Sequence, residues 1–114
     1  MKFYNKYKNK KTVIDGIKFS SKKEAIRYSQ LKILQANKEI SDLKLQPKFL
    51  LQEKFIGPNG EKIRDIHYIA DFLYIDKERG VIVEDVKGIK TEIYKLKRKL
   101  FLKNFHSNLT FVEI

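Results

Sequence analysis

Three side chains in the run Tyr68 to Gly88, YIADFLYIDKERGVIVEDVKG, are of types that can work together on a phosphate: Asp71, Asp85 and Lys87. Residues along a strand point alternately to opposite faces, so Val81, Val83, Asp85 and Lys87 share one face. On the preceding arm Ile69, Asp71, Leu73 and Ile75 share one face. If Ile75 pairs with Val81, the loop is Asp76 to Gly80, with Gly last, a common hairpin arrangement. That register sets Asp71 opposite Asp85, and facing Cβ atoms in an antiparallel pair lie about 4.5–5.5 Å apart. Two carboxylates so close repel unless a cation sits between them. Magnesium needs only one or two carboxylates beside water and substrate phosphate. It would supply a nucleophilic water and neutralise phosphate charge, the needs of phosphodiester hydrolysis. Lys87 can orient or deprotonate that water and stabilise the transition state. The carbonyl of Val86 is a further candidate ligand. Glu84 alternates to the opposite face and reads as a supporting group or the ion-pair partner of a helix lysine.

The elements that must carry these groups follow from local signals. Thr12 to Phe19 reads as a small hairpin around Asp15-Gly16. Ser21-Lys22-Lys23-Glu24 matches a capping box and starts a helix that ends near Asn37. Ile40 to Leu45 reads as a connector, and Gln46-Pro47 opens an extended segment. Phe49 to Ile56 reads as a strand and Gly57-Pro58-Asn59-Gly60 as a turn. Lys62 to Ile75 reads as one long strand, bent near Asp65 to His67, with Val81 to Lys87 as its partner. Gly88 breaks that strand. A second helix runs from Thr91 to about Phe105, with Ile93, Leu96, Leu100 and, at the edge of that stripe, Lys97 or Phe101 expected on the core side and Lys95, Arg98, Lys99 and Lys103 outside. Leu109 to Ile114 closes the chain as a strand, parallel to Val81–Lys87 through a crossover. The expected fold class is α/β or α+β, a mixed sheet of about four strands flanked by helices, with an extra N-terminal hairpin.

Composition narrows the class of protein. A chain of 114 residues fits one domain. Residues 1–11 read as a basic arm with interleaved aromatics, and 12–114 as the folded domain. A formal charge of +11 favours partners dense in negative charge, nucleic acid first, although a solubilising lysine-rich surface is the plainer explanation. The absence of cysteine rules out a disulfide framework and a cysteine zinc site, and fits a reducing cytoplasm. No apolar run reaches the length of a membrane span, and no apolar signal core follows the basic start. A cytoplasmic protein is expected, in the host cell if the chain is phage-encoded. His67 and His106 are isolated and read as surface residues.

Asp71, followed after a hairpin turn by Asp85-Val86-Lys87, resembles the signature of the PD-(D/E)XK nuclease superfamily. That superfamily includes restriction endonucleases and archaeal Holliday-junction resolvases. The usual Pro before the first Asp is replaced by Ala70. Over residues 13–103, the Asp15-Gly16-Ile17 and Ser21-to-Ala25 stretches, Gln46-Pro47, Tyr68-to-Phe72 and Val83-to-Gly88 are similar to a family of small phage and prophage endonucleases. The resemblance implies a restriction-endonuclease-like core, Mg²⁺ or Mn²⁺ as cofactor, and DNA, branched substrates included, as partner. It also implies Glu24 of the first helix as a third acid, although Glu24 is equally the N3 residue of the capping box. Gln46 is a candidate for water or phosphate contact or a strand cap. Lys95, Arg98 and Lys99 are candidates for phosphate contact.

Two readings compete. The first is a metal-dependent endodeoxyribonuclease of junction-resolvase type, which needs two symmetric cuts and hence a homodimer. The second is a non-catalytic nucleic-acid-binding module or adaptor with a nuclease-like fold.

Overall fold

The computed structural model describes residues 11–114, so the basic arm lies largely outside the described residues. Ten strands and two helices follow in the order β1 (Thr12–Ile14), β2 (Ile17–Phe19), α1 (Lys22–Ala36), β3 (Ile40–Leu45), β4 (Lys48–Gln52), β5 (Phe55–Ile56), β6 (Lys62–Ile63), β7 (Ile66–Ile69), β8 (Phe72–Asp76), β9 (Gly80–Asp85), α2 (Glu92–Phe105) and β10 (Thr110–Glu113). The centre is a mixed four-stranded sheet in the order β10-β9-β8-β3. Ile75 pairs with Val81 as the sequence predicts, and β10 runs parallel to β9 after the α2 crossover. Asp76 and Gly80 extend the β8–β9 ladder, so the true loop is Lys77 to Arg79. Asp76 Oδ1 accepts the backbone N–H groups of Glu78 and Arg79 at 2.8 and 3.0 Å, and Gly80 takes the positive φ of 80° that closes the turn.

Strand alternation divides the core in two. Phe72, Tyr74 and Ile82 pack with Tyr28 and Leu31 of α1. Tyr68, Val83, Tyr94 and Phe101 pack on the α2 side. Aromatic rings dominate this second core, with Phe101 within 5.5 Å, centroid to centroid, of Phe49, Tyr68, Phe105 and Phe111.

Three expectations are corrected. Ile40–Leu45 is an edge strand, not a connector. It pairs with β8 through a register shift between Ser41 and Lys44, where Asp42 adopts a φ of 55°. The long strands are divided: β4 pairs β7, β5 pairs β6, and the chain leaves one ladder for another at Ala70-Asp71. Finally, α2 turns Tyr94 and Phe101 inward, leaving Ile93 and Leu96 exposed and Leu100 only just so. The rings win because each removes more apolar surface from water than an aliphatic side chain.

Candidate functional site

Asp71 sits where the chain changes ladders. Ala70 N–H still donates to Pro47 in the strand entry, at 3.1 Å, whereas Asp71 N–H donates to the Glu84 carbonyl of β9, also at 3.1 Å. The Asp71 carbonyl accepts the Gln46 N–H at 2.9 Å. Gln46 therefore has a backbone role, held at a φ of 52° with its side chain exposed. The Asp71 carboxylate reaches across to Val86, whose N–H donates to Oδ2 at 2.6 Å.

Asp85 is 1% exposed. Its Oδ2 accepts the Tyr68 hydroxyl. Its Oδ1 lies 3.0 Å from the Lys87 ammonium, an ion pair without hydrogen-bond geometry, and accepts no hydrogen bond among the described residues. Strand parity thus puts Lys87 beside Asp85, as the sequence predicts. The ammonium is also held 4.0 Å from the Tyr94 ring centroid, where the ring face attracts a cation.

Glu24 joins the same pocket. Ser21 caps α1 by accepting the Glu24 N–H at 3.1 Å. The Glu24 carboxylate does not close the reciprocal half of the capping box. It accepts the Ser20 hydroxyl at 2.9 Å and stays buried. The apparent conflict between capping and pocket roles disappears, because backbone and side chain serve them separately.

A cavity of about 340 Å³ is lined by Ser20, Ser21, Glu24, Asp71, Val86, Lys87 and Thr91. Ser21 and Thr91 are the N-caps of α1 and α2. Both helices point their N-terminal ends at this cavity, a favourable place for an anion. The carboxylates inside repel one another. Burial foremost, then the charges of Asp85 and Glu24, push the Asp71 carboxyl up to about 7, against the pull of the Val86 N–H.

No group of three His, Cys, Asp or Glu side chains has metal-holding geometry among the described residues. The carboxylates are turned to protein partners: Val86 for Asp71, Tyr68 and Lys87 for Asp85, Ser20 for Glu24. The donor set still fits a hard divalent ion, since two carboxylates suffice for magnesium and Asp85 Oδ1 is a buried oxygen with no hydrogen bond.

The expected basic face is only partly assembled. Lys95 pairs with Glu92 at 3.4 Å. Arg98 lies over the Phe111 ring and 3.6 Å from Glu113, so it faces the sheet rather than solvent. Lys99 is exposed, and with Lys90, Lys95 and Arg98 it lines a second depression of about 560 Å³. Glu84 pairs with a helix arginine rather than a lysine: Arg27 donates to both its oxygens, at 2.7 and 2.6 Å. Sequence reasoning missed Tyr68, Arg27 and Lys23, whose ammonium donates to the Lys87 carbonyl at 3.1 Å. The alternation of β7 gave some signal for Tyr68; nothing local links Arg27 or Lys23 to their partners.

The fold and site define a small mixed α+β domain with an acid–lysine pocket between two helix N-termini. The chain belongs to the family described as protein of unknown function (DUF1064), whose model matches residues 4–113. No curated protein and no solved structure matches it. Among the described residues no helix is long and apolar enough to cross a membrane.

Proposed function

We propose that the chain is a metal-dependent endonuclease that hydrolyses phosphodiester bonds in DNA, of the PD-(D/E)XK type, with branched DNA as the favoured substrate. The observation that carries this reading is the convergence of Asp71, Asp85 and Glu24 beside Lys87, in a chain of net charge +11. A strongly basic protein that sets Glu24 and Asp71 in one cavity, with buried Asp85 beside them, has made a local exception, and burial together with the neighbouring acids raises the Asp71 carboxyl. Asp71 and Asp85, with the Val86 carbonyl and Glu24 alongside, would hold Mg²⁺ or Mn²⁺, which when bound supplies an activated water and charge neutralisation.

The chain's own groups have distinct tasks. The Lys87 ammonium, held by Asp85 and the Tyr94 ring, is positioned to orient water and to stabilise the charge that grows on the phosphate. The two helix N-termini favour the phosphate dianion character of the transition state. Lys90, Lys95 and Lys99 offer phosphate contacts outside the cavity, setting register without reading sequence. Recognition would rest on backbone charge and DNA shape.

Branched and linear DNA incubated with Mg²⁺, Mn²⁺ or EDTA tests the reading. Metal-dependent nicking that vanishes in Asp85→Asn and Lys87→Ala, with DNA binding retained, is expected. Absence of cleavage on DNA and RNA alike, together with no metal binding by calorimetry, would leave the binding-module reading in its place.

A further inference from the structure

We infer that Tyr68 is a positioning residue for Asp85: its hydroxyl takes one carboxylate oxygen and leaves the other as a single-oxygen donor, which favours Mg²⁺ over Ca²⁺. The inference rests on the nuclease reading for the presence of a metal, and goes beyond it in naming what selects the ion. Tyr68 lies on β7, opposite Phe49 of β4, and is 3% exposed. Its ring is held by Phe101, Tyr94, Phe49 and Phe111, with centroids 5.0, 6.3, 6.4 and 6.4 Å away. A ring packed on so many sides has little freedom to swing, so its hydroxyl is delivered to one place, Asp85 Oδ2. Asp85 Oδ1 accepts no hydrogen bond among the described residues and faces positive charge, the Lys87 ammonium at 3.0 Å.

The other two acids follow the same pattern. Val86 N–H donates to Asp71 Oδ2 at 2.6 Å, and the Ser20 hydroxyl donates to Glu24 Oε1 at 2.9 Å. Chelation of a cation through both oxygens of any of these acids would compete with a protein donor. Ca²⁺ gathers about six to eight oxygens and accepts chelating carboxylates, whereas Mg²⁺ needs near-octahedral geometry and keeps several waters. Donors that each spare one oxygen therefore suit the smaller ion. Tyr68 carries the most weight among them. Ser20 is exposed, so water can replace its hydroxyl, and the Val86 donor is backbone. Asp85 is 1% exposed, so water does not readily take over Oδ2 when the tyrosine hydroxyl is gone. The opposite face of β9 supplies an internal control. Tyr74, 2% exposed, donates to Glu84 Oε2, but Arg27 holds both Glu84 oxygens at 2.7 and 2.6 Å whether or not that hydroxyl is present.

Calorimetric titration of the full chain with MgCl₂ and with CaCl₂, without DNA, tests the inference. The wild type is expected to prefer Mg²⁺. In Tyr68→Phe, which keeps the ring, Mg²⁺ affinity should fall about 10–100-fold while Ca²⁺ affinity holds or rises, so the preference collapses. Tyr74→Phe also loses a buried hydrogen bond, yet it should keep the wild-type ratio. Should Tyr68→Phe fail to fold by circular dichroism, the wild type carries the test. Its Tyr68 hydroxyl proton, followed by NMR with labelled tyrosine, should stay hydrogen-bonded at saturating Mg²⁺. Four results overturn the inference: a wild type without Mg²⁺ preference, an unchanged ratio in Tyr68→Phe, an equal change in Tyr74→Phe, or loss of the hydroxyl proton on Mg²⁺ binding. Binding is read without cleavage. A selective chain that cuts neither DNA nor RNA would sink the nuclease reading alone, and an active nuclease with an unchanged ratio this inference alone. A wild type that binds neither ion sinks both.

Discussion

Glu84 and Asp85 are neighbours on β9, each 1% exposed, and they face opposite sides of one sheet. On the α1 side, Glu84 is fully compensated. Arg27 donates to both its oxygens and Tyr74 adds a third bond. On the α2 side, Asp85 has Tyr68 on one oxygen and only a poorly aligned ammonium on the other, with Asp71 and Glu24 adding negative charge nearby. Equal burial with unequal compensation separates a carboxylate that completes a core from one with an oxygen that accepts no hydrogen bond among the described residues.

The comparison can be broken at four points. The largest effect is expected in catalysis: Lys87→Ala should lower the metal-dependent cleavage rate by about 10²-fold or more, with little change in melting temperature. If stability falls and cleavage survives, Lys87 belongs with Glu84 as a structural charge. On the other face, Arg27→Ala should cost about 3 kcal/mol in denaturant unfolding, because it strands Glu84 in the core. Replacing the pair by Arg27→Met with Glu84→Gln should recover much of that loss, and a failure to recover would mean that the pair does more than neutralise itself.

Asp71 offers a pH test with a definite sign. Its folded-state carboxyl is raised to about 7, so the native state keeps a proton that the unfolded chain has already released. That advantage is complete below about 4, declines as pH rises, and is gone above about 7. Stability of the metal-free protein should therefore fall between those values, and Asp71→Asn should flatten the profile, gaining about 2 kcal/mol at alkaline pH. Magnesium should stabilise the wild type more at pH 8 than at pH 6, since ligands must be deprotonated. Opposite slopes in thermal melts would refute the assignment. The smallest effect concerns the cap: Ser21→Ala should cost about 1 kcal/mol, whereas Glu24→Gln should leave helix stability nearly unchanged and weaken metal binding.

Much of this arrangement is legible in the sequence because it depends on parity. The Ile75–Val81 register, the shared side of Asp85 and Lys87 and the opposite side of Glu84 follow from a period of two and one turn length. The α1 cap follows from Ser21. What escapes reading depends on competition between distant groups. The polar run Ser41-Asp42-Leu43-Lys44 hides an edge strand, since an edge with a bulge has no continuous apolar face to protect. On α2 two stripes compete, and only the aromatic partners Phe49, Phe105 and Phe111 decide for Phe101 over Leu96. Arg27 and Glu84 are 57 residues apart, and no local pattern couples them.

The backbone around Lys87 has a consequence for the order of events during synthesis. Lys87 N–H donates to the Ile114 carbonyl at 3.0 Å, and Ile114 N–H donates to the Asp85 carbonyl at 2.9 Å. The strand that carries Asp85 therefore gains its second neighbour only when the residues up to 114 have left the ribosome. Until then β9 has an open edge, and the Asp85–Lys87 segment lacks the bonds that fix its direction. A nascent chain has its acids and its lysine before β10 can fix their arrangement. The arrival of β10 thus sets when the Asp85–Lys87 segment becomes fixed, as a matter of chain topology.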